Sequence, residues 1–204
     1  MTASGKPTGP NYKLGVSLGQ TSPGLYSGTN YKVKLGFQYI YPIVGFKFSI
    51  SETSIDFGSL SPTNPVTRTN TLTVSNGSGG YTVTANEDHE LKETTSAQLI
   101  PDTTCDNGSC SETTSAPWTN TLTYGFGYRC DNVNGTDCNS GFSDATSYKQ
   151  FANKEKSETD ANVMTNSNVS RSKSSKNTYK VNIAGTQAAG AYTNKITYIA
   201  TPTF

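Results

Sequence analysis

The chain has 204 residues, of which 32% are hydrophobic and only 15% charged, with a net charge of +1. That balance excludes the clustered basic surface of a general nucleic-acid binder, and no apolar run approaches the ~20 residues of a membrane span. Thr, Ser and Asn supply 73 of the residues, while 12 Tyr and 8 Phe provide aromatic area for a core.

Residues 1–41 read as an extended N-terminal arm. Met1 to Gly5 show no apolar leader pattern, so the chain reads as a mature form carrying a start Met. Asn11-Tyr12-Lys13-Leu14-Gly15 recurs as Asn30-Tyr31-Lys32-Val33-Lys34-Leu35-Gly36, nineteen residues further on. Thr21-Ser22-Pro23-Gly24 separates the two copies as a turn. Within the second copy Tyr31, Val33, Leu35, Phe37 and Tyr39 follow period two, which predicts a strand with one apolar face. Such a strand can pair in its own domain or complete the sheet of a neighbouring subunit.

Pro42 breaks this run, and residues 42–204 read as one β domain. Phe46, Phe48 and Ile50 alternate with polar residues. Leu72 and Val74, then Tyr81 and Val83 across a Gly-rich turn, predict a hairpin. Residues 87–118 form a polar insertion. Leu122, Tyr124, Phe126 and Tyr128 give a long strand. A second polar insertion near 152–178 carries a short helical turn near Asp160 to Met164 and a solvated basic run with Arg171, Lys173 and Lys176. Tyr179, Val181 and Ile183 give another strand, and Ile196 to Ala200 is expected to be an inner strand. Period two between Gly, Pro, Asn and Ser clusters predicts an all-β fold, an antiparallel β-sandwich of immunoglobulin-like or jelly-roll-like type.

The four cysteines form two close pairs around turn formers, Cys105 with Cys110 and Cys130 with Cys138. Local disulfides are expected, ahead of free thiols or a zinc site, because each closure is short and the only histidine is His89. Disulfides imply an extracellular or cell-surface location. Asn-x-Ser/Thr at Asn76, Asn107, Asn134 and Asn168 reads first as turns, since three of the four are also Asn-Gly.

No nucleophile, base and acid stand in a recognisable arrangement, and His89 lies in a polar turn, so a non-enzyme with no cofactor is expected. Asp131, Asn134 and Asp137 are a weak calcium candidate, but Val133 and Gly135 interrupt the ligand spacing. A Lys–Asn cross-link of the kind that stiffens some surface sandwiches needs inward-facing partners, and Lys47 and Asp56 are expected to face outward. A glycan binder should expose Trp or Tyr on one face; the only Trp is Trp118.

Four stretches carry a resemblance. Ile55-Asp56-Phe57-Gly58-Ser59-Leu60-Ser61-Pro62 and Thr69 to Gly77, followed by Gly80 to Ala85, look like the opening of secreted bacterial surface sandwiches. Ala191 to Tyr198 looks like their last strand. Over roughly residues 43–204 the chain resembles spore coat protein U-type and WxL-type domains, and neither implies catalytic residues. The expectation is an extracellular structural subunit of a microbial surface fibre, pilus-like filament or coat. It would self-associate through the arm, without nucleic acid and without membrane insertion. The alternative is a cell-surface adhesin or glycan-binding module.

Overall fold

The computed structural model describes residues 3–5, 8–9, 12–13, 16–18, 24–29, 32–35, 45–77, 79–142 and 145–203. They form two compact units, Met1–Gly45 and Phe46–Phe204. In the first unit the strands are β1 (Ala3–Gly5), β2 (Thr8–Gly9), β3 (Tyr12–Lys13), β4 (Val16–Leu18), β5 (Gly24–Ser27) and β6 (Lys32–Leu35). The pairs β1–β4, β2–β3 and β5–β6 are all antiparallel. Each copy of the repeat therefore has a local partner: Tyr12 faces Gly9 and Val33 faces Tyr26. Leu14, Tyr31, Phe37 and Tyr39 lie outside the described residues.

The second unit is also built of strands. They are β7 (Lys47–Ile50), β8 (Val66–Gly77), β9 (Tyr81–Glu87), β10 (Leu91–Glu93), β11 (Leu99–Ile100), β12 (Ala116–Pro117), β13 (Gly125–Asn134), β14 (Ser147–Tyr148), β15 (Ala152–Asn153), β16 (Ala161–Asn166), β17 (Ser170–Asn182), β18 (Tyr192–Thr193) and β19 (Ile196–Pro202). One antiparallel sheet runs β13-β17-β8-β7. A second places β9 between β16 and β19, with β15 joining β9 in parallel over two residues. Leu72, Val74, Tyr128, Tyr179 and Val181 of the first sheet share one buried cluster with Tyr81, Val83, Ala85 and Val163 of the second. At its centre Phe151 stacks on Tyr128, 4.0 Å between ring centres.

The predicted hairpin across Asn76 to Gly80 is not formed. β8 pairs with β17 and β7, whereas β9 pairs with β16 and β19. The chain crosses from one sheet to the other instead, so Leu72 and Val74 meet Tyr81 and Val83 face to face. Gly80 permits the crossing. Its φ is +115°, and a Cβ there would sit 2.2 Å from the Asn166 carbonyl oxygen.

The stretch 152–178 is not a solvated loop. Asp160 to Met164 enters strand β16, and β17 occupies the middle of the first sheet between β13 and β8. Its inward residues include Ser175 and Asn177, both fully buried. They are accommodated because Ser175 Oγ donates to Met164 Sδ at 3.0 Å and Asn177 Nδ2 donates to the Tyr198 hydroxyl at 2.9 Å.

The insertion 87–118 is likewise partly interior. Cys105, Cys110, Ala116, Trp118 and Tyr148 form a second small core. Lys180, on the outward face of β17, donates to the Trp118 carbonyl at 2.6 Å and lies 4.4 Å from the Trp118 ring centre. This cation–π contact anchors the insertion to the outer face of the sheet. The last strand also differs from expectation. Among the described residues β19 pairs only with β9, which makes it an edge, and Ile199 is 45% exposed.

Candidate functional site: an apolar groove beside two sheet edges

A groove of about 1060 Å³ opens in the second unit. One wall is the segment 50–60 that follows β7, and the other is 187–198, which leads into β19. Its floor comes from the main cluster, with Phe126, Tyr179 and Val181. Ile50, Ile55 and Ile196 are half-buried on the walls. β17 covers β8 from Val66 to Gly77, whereas β7 covers it only from Leu72 to Ser75. The lower part of β8 is flanked by a non-strand segment, with Arg68 bonding the carbonyls of Asp56 and Phe57. Two incompletely paired strands and an apolar floor make this a place for an extended chain rather than for a compact polar ligand.

The floor also carries polar groups. The Tyr179 and Tyr198 hydroxyls are 2.8 Å apart, and Asn70 Nδ2 donates to the Glu52 carbonyl at 3.3 Å. Burial raises the pKa of both phenols, the Tyr198 one well above its ordinary value. They are neutral donors at physiological pH.

The four cysteines form two local disulfides, Cys105–Cys110 and Cys130–Cys138. Asp131, Asn134 and Asp137 turn to three different partners. Asp131 pairs with Arg129. Asn134 Nδ2 donates to the Ser172 carbonyl at 3.2 Å. Asp137 accepts from the Tyr81 hydroxyl at 2.5 Å and from Asn166 Nδ2 at 2.8 Å. The described residues hold no group of three or more His, Cys, Asp or Glu placed to take a metal ion. His89 Nδ1 lies 2.6 Å from the Glu90 carbonyl. Trp118 is 1% exposed and so offers no stacking face to a sugar. Lys47 and Asp56 are exposed, as their alternation with apolar neighbours implies.

Of the expected assembly residues, Val33 and Leu35 lie in β6, and Val33 is 40% exposed. Comparison of the chain with family models, with curated proteins and with solved structures finds no match in any of the three.

Sequence reasoning missed the walls of the groove, since 52–60 and 187–195 have no period to mark them. It also missed a polar cluster in which the half-exposed Lys156 meets Asp102, with the buried Glu87 beside that carboxyl. Burial and the adjacent Asp102 carboxyl hold the Glu87 pKa far above the carboxylate range. A wholly polar row such as Glu87-Asp88-His89-Glu90 gives no hint that its first member is interior.

Proposed function

We propose that this chain is an extracellular structural subunit of a microbial surface fibre, pilus-like filament or coat. The two sheets of the second unit pack as a β-sandwich with one position left incomplete, and the strand around residues 31–39 of a second copy fills it. The observation that carries this reading is the groove, with an apolar floor beside the edges of β8 and β19. Residues 31–39 have the matching pattern, with Tyr31, Val33, Leu35, Phe37 and Tyr39 on one face. Burying each such side chain contributes about 1.5–3 kcal/mol, and the added backbone ladder works in the same direction. Five such side chains give about 7.5–15 kcal/mol, comparable with an association cost of roughly 4–15 kcal/mol, so the loss of any position weakens assembly. β6 would exchange its partner β5 for the groove of the neighbour. Strand addition of this kind is head-to-tail and does not close, so it yields filaments. The two local disulfides support an oxidising, extracellular setting.

The test uses the full chain with Val33→Asp and Leu35→Asp introduced together. Negative-stain imaging and sedimentation are expected to show filaments for the natural chain and monomers for the variant. Filaments of unchanged length in the variant, or none from the natural chain at any concentration, would rule the reading out.

A further inference from the structure

Three stretches of chain that are far apart in sequence bring one amine and three carboxyls together. Glu87 closes β9 and is fully buried. Asp102 follows β11, and its side chain is 4% exposed. Lys156 stands in the turn after β15, with Nζ at 3.1 Å from Asp102 Oδ2 and 2.7 Å from Glu90 Oε1. Glu87 and Asp102 are neighbouring carboxyls, and burial, then the adjacent Asp102, holds the Glu87 pKa far above the carboxylate range. Glu87 therefore keeps its proton at neutral pH. Glu87 is also fixed in place. Its Oε1 accepts from Asn153 Nδ2 at 3.3 Å and its Oε2 from Asn194 Nδ2 at 2.8 Å. Among the described residues no donor reaches the buried Asp102 Oδ1.

An amine, the carboxyl it touches and a proton-bearing acid beside that carboxyl are the reactants and the catalyst of amide formation. We propose that Lys156 and Asp102 become joined by an isopeptide bond between Nζ and Cγ, formed by this chain alone. Glu90 takes one proton from the ammonium group, and Glu87 gives its proton to Asp102. The free amine attacks Cγ. A second nitrogen proton returns to Glu87, and the proton on Glu90 goes to the departing hydroxyl, which leaves as water. The ammonium and carboxylate become a neutral amide plus one water, Glu87 and Glu90 end as they began, and nothing is oxidised or reduced. Holding the partners in contact supplies the effective concentration that this condensation lacks in free solution, which for well-oriented groups reaches about 10⁵–10⁸ M. The low exposure of Asp102 disfavours the return attack by water. Among the described residues Lys47 and Asp56, which face outward, lack a buried acid neighbour; at Lys156 the buried acid is Glu87, beside the Asp102 carboxyl.

The experiment is the intact mass of the full chain after reduction of its disulfides. The bond lowers that mass by one water. It also blocks tryptic cleavage after Lys156 and gives a branched peptide joining residues 93–129 to 155–171. Lys156→Arg keeps the positive charge and is expected to show the full sequence mass. Glu87→Gln leaves both reacting groups in place and is expected to do the same. A natural chain with the full sequence mass, or a lost water that maps to any other pair of residues, overturns the proposal. A folded Glu87→Gln chain that retains the bond overturns the role given to Glu87.

Discussion

The Tyr81 hydroxyl donates to Asp137 Oδ2 at 2.5 Å, joining the first residue of β9 to the loop closed by the Cys130–Cys138 disulfide. Tyr81 is fully buried. Burial raises its pKa, and the Asp137 hydrogen bond and charge raise it further.

Tyr81→Phe removes this donor and leaves a buried carboxylate oxygen with Asn166 as its side-chain partner. The expected loss is about 1–3 kcal/mol in denaturant unfolding at pH 7. The folded phenol titrates above its unfolded value of about 10, so its contribution is complete below that pH and is lost as pH rises through the folded pKa. The gap between natural chain and variant should therefore narrow above pH ~10. A gap that is constant from neutral to strongly alkaline pH would show that the hydroxyl carries no linked proton.

Trp118 is the only tryptophan, and it packs in the small core that contains the Cys105–Cys110 disulfide, its ring centre 5.6 Å from that of Tyr148. Replacing both cysteines by Ser frees a short loop, which the chain-entropy estimate puts at about 2 kcal/mol. The small core is then tied to the first sheet through Lys180 on Trp118 and Arg129 over the Tyr148 ring. The variant should show a red-shifted Trp emission at temperatures where the far-ultraviolet circular dichroism is unchanged. Simultaneous loss of both signals would mean that this core and the main one unfold as a single unit.

Lys149 is 2% exposed, with Nζ 5.0 Å from the Phe142 ring centre and 3.4 Å from the Asn162 carbonyl. Burial lowers its pKa to about 8, against a small opposing pull from Glu112. The unfolded chain binds this proton up to about pH 10.4, so between the two values it carries more charge than the folded one, and stability from this group rises with pH there. Below the folded value the full penalty applies, on the order of 3 kcal/mol. Lys149→Met should therefore be more stable than the natural chain at pH 7, with the advantage shrinking toward pH 10. Glu87 titrates in both proteins, so their difference isolates Lys149. Parallel stability curves would refute the assignment.

Much of the strand content is legible because apolar residues recur at period two, as in Leu72 and Val74, Tyr81 and Val83, or Phe126 and Tyr128. Sheet membership is not. The same alternation fits a hairpin or a crossing between sheets, and only the need to bury both faces in one cluster selects the crossing. The first part of β17, before Tyr179, is hidden for a different reason. Its inward positions 175 and 177 are Ser and Asn, which are tolerated because Met164 and Tyr198 answer them from the opposite sheet. Periodicity of hydrophobicity cannot register a core face made of polar side chains held by hydrogen bonds to the opposite sheet. The groove is invisible in the same way, since a strand missing from a sheet leaves no mark on the strands that remain.

The decisive prediction separates exchange between copies from completion of the sheet within one copy. Val33→Asp with Leu35→Asp spoils the strand but leaves the groove of the same chain intact. Ile196→Glu, at the start of β19 on the groove wall, spoils the groove but leaves the strand intact. If the strand acts between copies, neither variant forms filaments alone. Mixed, the sound strand of the second enters the sound groove of the first. The reaction then stops at a one-to-one dimer, because each dimer presents only a spoiled strand and a spoiled groove. The dimer should be visible by sedimentation, and the strand-spoiled partner should gain thermal stability on mixing. If the strand only completes its own sheet, both variants are destabilised separately and mixing changes neither mass nor melting temperature. That second outcome would remove polymerisation from the function of the arm.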